Sequence, residues 1–159
     1  MQSGEDLLVG IKFRLEKGWH TYWKNPGDAG EGATIKWNLS KGLSASSILW
    51  PGPERIPVDP LMTFGYNDEI VLLTRIISKE KIRFPLKLEA EVTWFTCKDI
   101  CIPQEGVVDI EIEEGDFLAS THNTELKNYL SKVPTTFKGN FRVEELDNKF
   151  FIQSVSQGD

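Results

Sequence analysis

Leu86-Lys87-Leu88-Glu89-Ala90-Glu91-Val92-Thr93-Trp94, followed by Val107-Val108-Asp109-Ile110-Glu111-Ile112-Glu113, decides the fold of this chain. Each stretch alternates apolar and polar residues, the period of a strand with one buried face and one wet face. Between them lies Phe95-Thr96-Cys97-Lys98-Asp99-Ile100-Cys101-Ile102-Pro103, which holds both cysteines of the chain. Residues four apart in a straight strand are roughly 13 Å from each other, whereas a disulfide needs Cα atoms about 4.4–6.8 Å apart. If the bond forms, the segment must turn. The alternating flanks, with Pro103 and Gly106 between them, put the cysteines at the tip of a long hairpin or the end of a sandwich. One helical turn would also bring the thiols together, but Thr96, Ile100 and Ile102 are β-branched and Pro103 closes the segment.

The pattern repeats outward. Leu7 to Leu15, Gly18 to Trp23 and Thr34 to Leu39 read as strands, and Ile70 to Ile77 as a strongly apolar one. Asn25 to Gly32 reads as a flexible loop; its glycines do not follow a dinucleotide fingerprint, and Asp28 and Glu31 would repel phosphate. Pro51, Pro53, Pro57 and Pro60 make Trp50 to Pro60 an extended surface loop. Leu61 to Glu69 places turn residues around exposed-looking aromatics. One helix is expected over Asn123 to Lys132, with Asn123 as N-cap, Leu126, Tyr129 and Leu130 on one face, and Pro134 as the stop. Asn140 to Leu146 and Lys149 to Gln153, separated by Asp147-Asn148, read as a hairpin. Many short strands with one late helix indicate an all-β, antiparallel β-sandwich.

The 159 residues suit one domain with an appendage, and the 40% hydrophobic content with five tryptophans argues against disorder. A formal charge of −6 argues against nucleic acid, which calls for clustered Lys and Arg. No basic amphipathic stretch suits an anionic membrane, and no apolar run approaches the roughly 20 residues of a membrane-spanning helix. The chain opens with the polar Met1-Gln2-Ser3-Gly4-Glu5-Asp6, so no leader is visible. A cytosolic protein or an excised domain would both begin so; Gln157-Gly158-Asp159 as an ending favours the excised piece.

Closing a loop of about five residues stabilises a fold by roughly 2 kcal/mol, near the low end for disulfides. A pair at this spacing therefore leans towards chemistry. Only the thiolate attacks a disulfide, and here Lys98 would lower a cysteine pKa while Asp99 and an apolar shell would raise it. Other readings stay open: a small structural staple, inert reduced thiols, or a soft-metal site that adds His20 or His122.

Three motifs occur in order: Gly18-Trp19-His20-Thr21-Tyr22-Trp23-Lys24-Asn25-Pro26-Gly27, Thr63-Phe64-Gly65-Tyr66-Asn67-Asp68-Glu69, and Trp94 to Pro103. Together they resemble the N-terminal periplasmic domain of the DsbD thiol:disulfide interchange proteins, and most closely the ScsB-like branch linked to copper tolerance. The resemblance implies an immunoglobulin-like sandwich with redox cysteines at one end, matched here by Cys97 and Cys101. It implies that Thr63 to Glu69 forms a loop capping the site, with Phe64 over the sulfurs and Tyr66 beside it. Tyr22 and His20 would line the site, and Asp68, Glu69 and Lys98 would lie near it. It further implies a periplasmic protein-disulfide reductase domain. Such a domain takes electrons from a membrane-embedded domain of the same protein and passes them to thioredoxin-like partners, without a cofactor. The cysteine spacing is tighter than in the better-known branch. The expected division is a redox sandwich over residues 1–118, a helical linker over 119–133, and a hairpin over 134–159 that opens a second sandwich.

Overall fold

The alternation on either side of the cysteines resolves into two twelve-residue strands that pair antiparallel from end to end. They belong to a computed structural model that describes residues 6–80, 82, 84–114, 121–137 and 139–156. The polar start at 1–5, the ending at 157–159 and the expected boundary at 118 lie outside the described residues. In chain order the elements are β1 (Asp6–Arg14), β2 (His20–Gly27), β3 (Thr34–Asn38), β4 (Leu43–Ala45), β5 (Glu54–Val58), β6 (Leu61–Asn67), β7 (Glu69–Ser78), β8 (Leu86–Cys97), β9 (Cys101–Ile112), α1 (Asn123–Ser131), β10 (Gly139–Leu146) and β11 (Lys149–Ser156).

Two antiparallel sheets face each other. The smaller has the order β1-β7-β4. In the larger, β9 occupies one edge of β8 along its whole length. The other edge is shared in succession by β3, opposite Glu89–Thr93, and by β2, which reaches β8 only at His20 opposite Cys97. From β2 the sheet continues through β6 to β5. The sheets meet over Phe13, Ile70 and Leu72 on one side and Ala90 and Val92 on the other. Phe13 meets Trp94 edge to face at 5.4 Å. A second cluster, Ile76, Ile82, Leu86 and Leu88, fills the far end. This is the antiparallel sandwich that the alternation implies, with the immunoglobulin-like fold that the resemblance implies.

β7 has no polar face because both of its faces are covered. Ile70, Leu72 and Ile76 turn into the sandwich, while Val71 and Leu73 turn outward to α1. The register places Gly10 opposite Leu73, and a Cβ at Gly10 would overlap Val71 and lie 2.8 Å from Leu126 Cδ2. The missing side chain lets the helix seat.

The helix begins at Asn123, but the N-cap is His122 and makes no side-chain cap bond. Its apolar face is the expected one: Tyr129 is 8% exposed, and Leu126 and Leu130 pack beside it. Lys12 pairs with Glu69 at 3.1 Å and with Glu125 at 2.5 Å, tying β1, β7 and α1 together. The segment expected as a linker thus lies docked on the small sheet.

Two expectations change. Within the proline-rich Trp50 to Pro60, residues Glu54–Val58 form β5, which pairs with β6 as an edge strand. Pro57 is tolerated there because an edge strand leaves one row of N–H groups unused. The strand β2 also runs on through Gly27, with an irregularity between Tyr22 and Gly27.

Replacing Tyr129 by alanine removes most of the helix anchor. We expect a loss of about 2–4 kcal/mol in chemical denaturation. A loss below about 0.5 kcal/mol would mean that α1 does not contribute to the stability of the sandwich.

Candidate functional site

The register of the β8–β9 hairpin sets Cys97 directly opposite Cys101. Lys98, Asp99 and Ile100 form the connecting loop, which the Lys98 N–H closes by donating to the Ile100 carbonyl at 3.2 Å. The cysteine Cα atoms are 4.2 Å apart, close to the roughly 4.5 Å of a non-hydrogen-bonded antiparallel pair, where side chains approach most closely. The two sulfurs are joined in a disulfide. Their surroundings differ. Cys97 is 2% exposed, flanked by β9 on one side and β2 on the other. Cys101 lies at the start of the edge strand and is exposed.

The inner strand β2 supplies the neighbours. Tyr22 is 2% exposed, and its hydroxyl lies 3.1 Å from Cys101 Sγ. A disulfide sulfur carries no hydrogen, so the phenol donates. His20 is 5% exposed, packs edge to face on Tyr22 at 5.2 Å, and has a buried Nε2 with no hydrogen-bond partner among the described residues. Thr21 turns the other way and donates its hydroxyl to the Phe95 carbonyl at 2.8 Å. Burial pushes the Tyr22 hydroxyl above, and the His20 imidazole below, their ordinary values. Both groups are therefore neutral near pH 7.

The Asn25 to Gly32 segment, expected to be a flexible loop, lies over this site. Gly30 has φ +91°, and a Cβ there would fall inside the Tyr22 ring. The backbone thus lies flat on the phenol and closes it from water. On the opposite strand, a Cβ at Gly65 would overlap the Thr21 carbonyl oxygen, so a glycine lets β6 approach β2. Neither glycine belongs to a nucleotide motif, and the signal for Gly30 was only that a Gly-rich turn follows an aromatic strand.

Tyr22 and His20 come together with Cys97 and Cys101; the second motif behaves differently. Its Thr63–Asn67 portion is strand β6. Tyr66 is a core residue that donates its hydroxyl to the Pro51 carbonyl at 2.7 Å. Burial pushes its hydroxyl far above the ordinary tyrosine value. Phe64 stands opposite Arg55 of β5, half-buried, with its ring 3.1 Å from where a Gly27 Cβ would sit. Asp68 holds the left-handed turn into β7 with φ 56°. Glu69 is engaged on the helix side, with Lys12 and with the Tyr129 hydroxyl at 3.4 Å. Alternating side-chain direction explains the separation, since β6 and β7 serve the core and the helix. The Lys98 stem lies beside Gly18, where a Cβ would stand 3.5 Å from Lys98 Cε. His122 sits at the start of α1 with Nδ1 3.5 Å from Glu125.

A cleft of about 550 Å³ is lined by Trp19, Trp94, Thr96, Ile102 and Val108, on the face of the hairpin opposite to the two cysteines. Its other wall comes from Ile11–Arg14 of β1. Thr96 and Ile102 form the cross-strand pair next to the two cysteines.

Gly30→Ala should displace the loop from Tyr22. We expect the disulfide to be reduced by dithiothreitol several-fold faster, and an unchanged rate would mean that the loop is no barrier. The His20 shift carries a pH consequence. Its folded value lies below its unfolded value, so the stability it adds is whole above about pH 6.5 and is lost as the pH falls below that. Urea midpoints measured from about pH 7 to 5.5 should fall, and His20→Phe should flatten the fall. Equal slopes in both proteins would contradict the assignment.

The thiol:disulfide interchange protein DsbD, N-terminal family matches residues 1–111. No curated protein matches the chain. The N-terminal periplasmic domain of ScsB from Proteus mirabilis is a solved structure of similar fold, with TM-score 0.67 and 21% identity. The match covers 96% of this chain and 60% of that one, so the present chain spans less than two thirds of that structure. With a family match over residues 1–111 and the disulfide at the tip of its central hairpin, this chain belongs to the DsbD N-terminal family of thiol:disulfide interchange domains.

Proposed function

We propose that this domain is a protein-disulfide reductase module of the periplasm. A membrane-embedded domain of the same full-length protein reduces the Cys97–Cys101 disulfide, and the dithiol passes the electrons to thioredoxin-like periplasmic proteins. The observation that carries this reading is the asymmetry of the pair, one sulfur buried and the other exposed and hydrogen-bonded by Tyr22. In the reduced form the Cys101 thiolate attacks the partner disulfide and a mixed disulfide forms. Cys97 then attacks Cys101 Sγ, the pair closes and the partner leaves as a thiol. The Tyr22 hydroxyl holds charge on Cys101, and a hydrogen bond to a charged group contributes about 1.5–3 kcal/mol. Ile100, 66% exposed at the tip, offers apolar contact to a docking partner. Phe64 and the Gly27–Gly32 backbone together are the cover that keeps stray oxidants from the sulfurs, in place of a separate cap loop.

The domain division belongs to the same reading: a redox sandwich over 1–118, a helical segment over 119–133, and a hairpin over 134–159 opening a second sandwich. Support comes from β10 and β11, which leave Phe141, Phe150 and Ile152 at 67%, 69% and 71% exposure. A lone two-stranded hairpin is marginal in water. The copper-tolerance branch makes Cu(I) the competitor for the reduced pair. Stoichiometric Cu(I) binding that is lost in Cys97→Ser would move the reading from exchange to metal capture.

Cys97→Ser should trap a mixed disulfide between Cys101 and an oxidised thioredoxin-like partner, seen by mass spectrometry, whereas Cys101→Ser should trap none. Trapping by neither variant would reject the reading. Tyr22→Phe should raise the Cys101 thiol pKa and slow partner reduction about tenfold at neutral pH. In glutathione buffers the wild-type pair should equilibrate between roughly −270 and −120 mV, and a value below about −300 mV would mark a staple.

A further inference from the structure

The buried imidazole of His20 is not used by the exchange steps above. It stands directly opposite Cys97 across the β2–β8 pair, and directly opposed residues share a face with Cβ atoms about 4.5–5.5 Å apart. Its Nε2 is buried and has no hydrogen-bond partner among the described residues. A buried polar atom left unpaired is costly and calls for a reason. The oxidised form supplies one, since a disulfide sulfur has no hydrogen to give. Reduction places a thiol hydrogen on Cys97, opposite the open nitrogen.

The neighbouring groups have other attachments. Tyr22 attends to Cys101, not Cys97. Asn67, opposite His20 on β6, donates to Glu54 at 2.8 Å. Lys98 extends towards Gly18, Asp99 is exposed in the loop, and Asp68 lies in the turn beyond Asn67. Glu69 is held by Lys12.

We propose that His20 is the proton acceptor for the resolving cysteine, taking the Cys97 thiol proton on Nε2 as that sulfur attacks the mixed disulfide. The inference rests on the exchange reading and deepens it. In the step, the Cys97 S–H bond breaks and its proton passes to Nε2. The Cys97–Cys101 S–S bond forms as the Cys101–partner S–S bond breaks. The partner leaves as a thiolate, which recovers a proton from the imidazolium or from water. Cys97 is oxidised and the partner sulfur is reduced. Because the imidazole starts neutral, it is ready to accept. The same contact pairs Nε2 only in the dithiol state, so it also favours reduction of the pair.

The test uses 5,5′-dithiobis(2-nitrobenzoate) with the reduced protein in stopped flow. Attack by Cys101 releases one chromophore and resolution by Cys97 releases a second, so the two steps separate in time. His20→Phe should leave the first phase within about twofold of wild type and slow the second by about tenfold or more near pH 7. The slow phase should recover as the pH rises, because solvent base then removes the proton. His20→Gln, which fills the site with an amide that cannot take a proton, should be as slow as His20→Phe. A second phase in His20→Phe that matches wild type at every pH overturns the proposal, and so does full rescue by His20→Gln. A wild-type protein that shows no second phase overturns the exchange reading instead. Should the variants unfold, nitrogen-15 spectra of the wild-type histidine decide. A His20 Nε2 resonance that moves between the oxidised and reduced forms supports the contact, and an unmoved one overturns it.

Discussion

The twelve-residue pairing of β8 with β9 is the constraint on which the rest of the molecule depends. A register slip of one residue would turn every side chain of a strand to the opposite face. Leu86, Leu88, Ala90 and Val92 would leave the core, and Cys97 would no longer face Cys101. The apolar burial that holds the sandwich together therefore also holds the two sulfurs in bonding range. Stability and redox geometry share one register, so the site needs no separate scaffold. Pro103 lies on β9, which pairs only with β8 among the described residues, and so costs the ladder nothing it uses there.

The unequal fates of the two cysteines follow from the same layout. A strand has two edges, and β8 gives one to β9 and the other to β3 and then β2. Cys97 falls where β2 arrives and is sealed by His20, while Cys101 begins the outermost strand and stays open. An inner cysteine shielded from water and an outer one held by a phenol is the asymmetry on which the proposed exchange rests. The loop after β2 completes it, because its glycines let bare backbone lie on the Tyr22 ring. A residue with a side chain at Gly30 would meet both a steric clash and a strained φ.

Much of the architecture was legible because the chain repeats simple periods. The alternation flanking the cysteines, the apolar run of β7 and the Leu126–Tyr129–Leu130 face of α1 each appear as read. The misreadings share a cause. Thr63 to Asn67 looks like a turn because Gly65, Asn67 and Asp68 favour turns, yet β6 lies between β2 and β5, and its glycine serves close strand approach. The prolines before it mark an edge strand as readily as a loop. In both places tertiary pairing overrode local propensity, as it often does in sheets.

Composition and spacing alone pointed to an all-β sandwich whose cysteines, if bonded, lie at a reversal of the chain, and the resemblance of three motifs added that aromatic strand residues line them. The sandwich and the reversal follow from period-two patterning and from the reach of a disulfide, both local in the chain. The tertiary structure decided which aromatics touch the sulfurs. Tyr22 does, through its hydroxyl, whereas Tyr66 turns into the core and Glu69 binds Lys12 on the helix side. Which cysteine is buried, and which nitrogen of which histidine is left open beside it, depends on the strands that arrive at each edge of β8. Such arrivals join residues more than seventy positions apart, beyond the reach of any local pattern.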